Sequence, residues 1–337
     1  MNILPLETRV RIVASLVEGN SIRSTERLVG CTRNSIMRFN VTAGDACARL
    51  HDAMVRDVHA AVIQADELWT YVQKKKRQLK PGDPAEMGDQ WVYVALDSNT
   101  KLILSYRVAK RTAEATQAFI RDLRDRVLGK PQLTTDALPY YREAVERAFG
   151  AEIDFAQVQK SYETPMSPEA AGRYSPGRII AEDKRLVTGR PKWHLISTSH
   201  VERSNLSFRM SLRRFTRLTN GFSKKLRNLE GAVNLWVSYY NLCRVHETLR
   251  CTPAMAAGLT DHIWSIGELL TEAFAVPPTP QAPAAPDPEP IAVGDDASGM
   301  SAARAKGEMR GSGRRHLRIV KGGHATVASF EKASGAN

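Results

Sequence analysis

Apolar and polar positions alternate with two different periods along this chain. At helical spacing, Val201, Asn205, Phe208, Leu212 and Phe215 line one stripe, predicting a single helix over residues 197–217 that a hydroxyl of Ser197, Thr198 or Ser199 would cap. Leu6, Val10, Val13 and Val17 predict a helix over 5–17, stopped at Gly19. Ser21 and Thr32 are cap residues for two further helices, 22–29 ending at Gly30 and 33–39, and 43–59 reads as another. Period-two runs then predict strands at 61–72, 91–96, 102–108, 132–135 and 153–158, with the Asp97-Ser98-Asn99-Thr100 turn joining the second and third. Between and after them, 113–127 and 140–149 return to helical period, as does the stripe Leu229, Val233, Trp236, Val237 and Tyr240. The order is β-β-β-α-β-α-β followed by helices, an α/β fold in which a mixed sheet is covered by helices.

Two stretches break the pattern. Residues 162–198 mix Pro and Gly with many Lys and Arg, and read as an irregular basic insertion, flexible or ordered only on a partner. Residues 271–337 are rich in Pro, Ala and Gly and read as a disordered tail.

Charge narrows the function. The formal net charge of the 337 residues is +12, which points to an acidic partner, above all nucleic acid. No apolar run reaches the length of a membrane span, so no membrane partner is expected. Cys31, Cys47, Cys243 and Cys251 form no CxxC pair, which predicts free thiols and a cytoplasmic protein, nucleoid-associated if it binds DNA. The two short helices around the Gly30 turn have the helix-turn-helix pattern, with Arg33, Asn34 and Arg38 directed at a DNA groove. The helix after Ser197 is strongly basic, and Arg203, Arg209 and Arg213, with Asn205, are candidate contacts to double-stranded DNA.

Three acids stand out by position. Asp66 interrupts an apolar strand, Asp136 directly follows another, and Glu202 is the lone acid in the first turn of the basic helix. A carboxylate inside a strand is costly to bury unless paired or bound to metal. Three such oxygen ligands suit Mg²⁺ or Mn²⁺, and two ions sharing them would serve in-line phosphoryl transfer. Among the competing acids, Asp97 is read as a turn residue, Glu67 as pointing to the opposite sheet face from Asp66, and Asp154 as structural.

The blocks "QADELWTYV" around Asp66, "LTTDALPYY" around Asp136 and "SHVERSNLSFRMSLRRFTRLTNGFSKK" around Glu202 resemble the DDE transposases of the insertion-sequence-one family, over about residues 4–264. The resemblance implies a ribonuclease-H-like catalytic core with Asp66, Asp136 and Glu202 as metal ligands. It also implies strand cleavage and strand transfer on element ends and target DNA, and a homodimer or higher synaptic oligomer. Its expected layout is a helix-turn-helix region at 1–60, the catalytic domain at 61–270 and the tail. This sequence departs from the family in a longer Asp136–Glu202 interval, which 162–198 accounts for, and in lacking the zinc-finger-like cysteines that precede the helix-turn-helix in some relatives. The rival expectation is an inactive or domesticated transposase that only binds DNA.

Overall fold

The computed structural model describes residues 4–162, 179–216 and 219–278. The expected tail beyond 278 and the 163–178 part of the basic stretch lie outside the described residues. At the N-terminus, α1 (Leu6–Val17), α2 (Ile22–Val29) and α3 (Arg33–Met54) follow one another through tight turns. The hydroxyls of Ser21 and Thr32 accept the amide N–H of Ser24 and Ser35, so both expected caps form. Gly30 closes α2 at φ 78°, a left-handed conformation that costs glycine little. One expectation is corrected here: the helices predicted at 33–39 and 43–59 are a single helix ending at Met54. No Gly or Pro breaks the chain at Asn40, Val41 and Thr42, and the C-terminal helices give the whole length of α3 something to pack against.

The sheet has six strands in the order β3-β2-β1-β4-β5-β6. They are β1 (Val62–Val72), β2 (Gly88–Asp97), β3 (Ile103–Ala109), β4 (Gln132–Asp136), β5 (Asp154–Tyr162) and β6 (Ile179–Thr188). β1, β2 and β3 form an antiparallel meander, while β4 and β5 add in parallel beside β1. That is the expected mixed α/β sheet. α4 (Ala113–Arg124) and α5 (Tyr140–Phe149) make the crossovers.

The sixth strand corrects the reading of 162–198 as irregular, for residues 179–188 of it form β6, antiparallel to β5. Glu182, Asp183, Lys184 and Arg185 sit in the middle of it, and such a charged, exposed strand suits the edge of a sheet.

After the sheet come α6 (Ser199–Ser211), α7 (Leu226–Leu242) and, beyond a short turn of helix at Pro253–Ala256, α8 (Ile266–Ala275). α6 is shorter than the predicted 197–217, and this too is a correction. At Leu212 the backbone extends, and Arg213–Phe215 tighten into a 3₁₀ turn that sets Phe215 against Phe208. α8 runs past the expected start of the tail at 271, with Leu270 and Ala273 buried in the common core.

α3 and α7 cross in direct backbone contact. A Cβ placed on Gly44 would meet the Gly231 carbonyl oxygen at 2.3 Å, so these two helices approach as closely as they do only because both residues lack side chains. Beneath that crossing Trp236 is fully buried, with its ring 4.0 Å from Phe208 of α6 and 5.1 Å from Tyr240. The aromatic cluster therefore ties α6 to the helical layer, while α6's other contacts reach the sheet.

Candidate metal centre

β1 and β4 pair in parallel register through Ala65↔Thr135, so the next residue on each strand is an aspartate, Asp66 beside Asp136. The pair lies at the carboxyl end of the parallel ladder, where open α/β sheets expose their functional groups. Oxygens of Asp66, Glu67 and Asp136 all lie within 4.8 Å of one another. Alternation assigns Glu67 to the far face of the strand, yet one of its oxygens joins this group, which the sequence reading did not expect.

α6 is docked over Asp66 by two contacts from the same face of β1. The buried Gln64 accepts the amide N–H of His200 at 2.8 Å and of Val201 at 3.2 Å, taking the capping role that Thr198 does not fill. Two residues further along β1, Asp66 Oδ2 accepts the side-chain N–H of Asn205 at 2.8 Å. Two strand residues span about 6.6 Å and four to five helical residues about 6–7.5 Å, so the helix and strand keep step. Asn205 is 8% exposed and bonded inward, which corrects its reading as a DNA contact.

Glu202, one turn before Asn205, lies outside the tight carboxylate group. It accepts the Thr198 hydroxyl at 2.7 Å and is ion-paired with Lys160 of β5. On the other side Arg111, after β3, bridges Glu67 at 2.8 Å and Asp136 at 3.2 Å. Asp136 is further held by its own turn, where Oδ1 accepts the Leu138 N–H at 3.0 Å, and by Gln157, whose side-chain N–H reaches the Asp136 carbonyl at 2.9 Å.

The electrostatics follow from crowding acids in a low-dielectric place. Burial, then the Asp136 charge and more weakly Glu202, push Asp66 up to about 6. Burial and the Asp136 charge push Glu67 up to about 7, and burial raises Asp136. The Tyr141 hydroxyl, buried beside Glu67, partly offsets that residue's rise.

The other competing acids are structural. Asp97 is buried and accepts the N–H groups of Asn99 and Thr100 and the Thr100 hydroxyl, and Asp154 accepts the Arg190 N–H at 2.9 Å. The four cysteines are free thiols.

Arg33, Asn34 and Arg38 are exposed at the start of α3, with Arg33 Nε 3.2 Å from Glu26. Arg203 is exposed on α6, Arg209 is half-buried near its end, and Arg213 is exposed in the 3₁₀ turn, off the regular helix that was to carry it. Missed by sequence reasoning were Gln64, Lys160 and Arg111. Lys160 and Arg111 carry no local signal, and the one sign for Gln64 is a polar residue at a same-face position two before Asp66.

Among the described residues no helix is long and apolar enough to cross a membrane. No family model matches the chain, and no curated protein does. Among solved structures, the pre-cleavage Mos1 transpososome is similar at 12% identity and TM-score 0.18, over 46% of this chain and 60% of that one. The piggyBac transposase synaptic complex with hairpin DNA is similar at 9% identity and TM-score 0.30, over 77% and 57%. The Mos1 mariner paired-end complex with Mn is similar at 12% identity and TM-score 0.20, over 71% and 77%. The chain thus spans less than two thirds of the first of these, and at such scores the likeness adds nothing to the sheet order.

Proposed function

We propose that this chain is a DNA transposase of the DDE kind, close to the insertion-sequence-one family, which binds element ends and carries out metal-dependent strand cleavage and strand transfer. The observation that carries the reading is the placement of Asp66 and Asp136 side by side on adjacent parallel strands, with α6 clamped across them through Gln64 and Asn205. That clamp sets Glu202 at the rim of the same group.

The donor set fits a hard divalent cation. Carboxylate oxygens of Asp66, Glu67 and Asp136 lie within 4.8 Å of one another, crowded and largely desolvated, and a cation would relieve their repulsion. Asp66, Asp136 and Glu202 would hold Mg²⁺ or Mn²⁺, two ions in all, with Glu67 beside them. The chemistry such ions supply is activation of a water or 3′-hydroxyl and stabilisation of the leaving oxygen in an in-line displacement.

The protein's own part is positioning. Asn205 fixes the Asp66 carboxylate, the turn at Leu138 and the Gln157 amide fix Asp136, and Thr198 orients Glu202. Arg111 and Lys160 offset the acids' mutual repulsion. The helix-turn-helix of α2 and α3 presents Arg33, Asn34 and Arg38 to duplex DNA, while Arg203, Arg209 and Arg213 hold its phosphates near the acids. Two ends must be brought together, so the working form is a dimer or larger. Residues 1–60 are the reading module and 61–270 the catalytic one.

A second reading, DNA binding without catalysis, draws on one observation: Glu202 and Asp136 are each already paired with a base, Lys160 and Arg111. Cleavage of duplexes carrying the DNA that flanks the gene decides between the two. Asp66→Asn, Asp136→Asn and Glu202→Gln should each abolish Mg²⁺-dependent cleavage while duplex binding persists. A wild-type protein that binds these duplexes and never cuts them would leave the second reading.

A further inference from the structure

On the side of β1 away from Gln64 and Asp66, the strand carries an aromatic ladder. Trp69 and Tyr71 sit two residues apart with ring centroids at 5.7 Å, and Phe222, from the segment before α7, stacks on Tyr71 at 5.0 Å. Trp69 is 36% exposed, and the Lys75 ammonium lies 5.7 Å from its ring and 5.8 Å from that of Tyr71. The loop that supplies Lys75 also brings Lys76 and Arg77 to the rim of an open depression of about 650 Å³ beside Trp69. The one acid lining it, Asp89, is already occupied by the backbone N–H of Lys76.

Phe222 also borders a second cavity, of about 750 Å³, between the N-terminal helices and the start of α7. Arg23, Arg33, Arg213, Arg214 and Lys224 line it, and among the described residues no carboxylate does. Arg214 is the telling member. Its guanidinium donates to the Ser223 hydroxyl at 2.9 Å, and among the described residues it has no acidic partner. Burial lowers its pKa to about 10, the mark of a desolvated cation whose charge an anion would satisfy. The segment is fixed in place, since Gln73 donates its N–H to the Ser223 carbonyl at 2.8 Å and a Cβ on Gly221 would stand 2.6 Å from the Arg213 carbonyl oxygen.

We propose that the ladder and the cavity are one binding surface for single-stranded DNA, the cavity holding phosphates and the exposed Trp69, backed by Tyr71 and Phe222, stacking an unpaired base. Every base has a π-face, so stacking tolerates any sequence, and a cationic groove beside it tracks the backbone. A duplex keeps its bases stacked on one another and has none to offer the ladder. Binding there needs no metal.

The test uses the full chain in EDTA, so that failure of the catalytic reading does not touch it. Fluorescence anisotropy compares oligothymidylate of about a dozen nucleotides with an abasic strand of equal length. Oligothymidylate should bind more tightly and quench tryptophan emission. Trp69→Ala should weaken oligothymidylate binding by at least about fivefold while leaving the abasic strand unchanged, and Trp69→Phe should restore most of the loss. Arg214→Gln, and the exposed Lys224→Gln where the former fails to fold, should weaken both strands and flatten the log–log salt slope by about 0.7 per lost contact. Equal binding of the abasic strand and oligothymidylate, wild-type affinity in Trp69→Ala, or an unchanged salt slope in Lys224→Gln would each overturn the proposal.

Discussion

Gln64 is the residue on which the site's assembly can be tested without any assumption about chemistry. It is buried at 2% exposure, and its carbonyl oxygen accepts two backbone N–H groups at the start of α6. Gln64→Leu keeps the side chain's bulk and removes the acceptor. Losing a helix cap costs about 1 kcal/mol, and leaving a buried N–H unmatched costs about 1–3 kcal/mol. The added apolar burial of leucine offsets part of that, so the net loss is about 2 kcal/mol. For a unit of this size that corresponds to a melting temperature about 3–4 °C lower. The loss should also spread along α6, because Asn205 reaches Asp66 from the same helix, so Mn²⁺ affinity should fall although Gln64 is no ligand. Thermal melting followed by circular dichroism and calorimetric Mn²⁺ titration read the two effects. A variant melting within about 1 °C of the parent, with unchanged Mn²⁺ affinity, would refute the claim that Gln64 docks the helix.

The remaining predictions concern other parts of the same structure. Gly231→Ala forces a methyl to within 2.8 Å of the Asn40 carbonyl oxygen, so urea denaturation should show a loss of at least about 3 kcal/mol, or no folded protein. Asp66 and Glu67 titrate near 6 and 7 in the folded chain, above their ordinary values. The metal-free fold therefore holds protons that the unfolded chain has released. Its stability should fall as pH rises from about 4 to about 7, while Mn²⁺ affinity should rise over about pH 5.5–7.5 as the ligands deprotonate. A pH-independent Mn²⁺ affinity in calorimetry would contradict this. Arg33→Ala or Asn34→Ala should narrow the gap between end DNA and random DNA by about 1–3 kcal/mol in gel shifts, whereas equal loss on both would make these residues phosphate contacts.

Much of the architecture is legible in the chain because alternation and helical period report burial directly. β1 to β5 and α1, α2, α4 and α5 fall where those periods place them, to within a few residues. Asp66 and Asp136 are legible for the converse reason, as charges where the pattern calls for apolar residues. β6 is not legible, since an edge strand need not bury either face, and its stability comes from pairing with β5. The early end of α6 is equally hidden, because Leu212 and Phe215 continue its apolar stripe and only the contacts of Phe215 with Phe208 and Arg214 with Ser223 favour the tighter turn. Asn205 stands on the apolar stripe of α6 but reads as a DNA contact, because its hydrogen bond to Asp66 joins positions far apart in sequence. The same holds for Lys160 against Glu202 and for Arg111 between Glu67 and Asp136. Period and composition carry no trace of such pairings.

The central claim is that Asp66, Asp136 and Glu202 form a divalent-metal site, and anomalous diffraction from crystals of the full chain grown with Mn²⁺ tests it most directly. The account predicts anomalous density within coordination distance of the Asp66 and Asp136 carboxylates, with Arg111 drawn off Asp136 and Lys160 released from Glu202. Crystals saturated with Mn²⁺ that show no density there, and keep the Arg111–Asp136 and Lys160–Glu202 pairs intact, would contradict it.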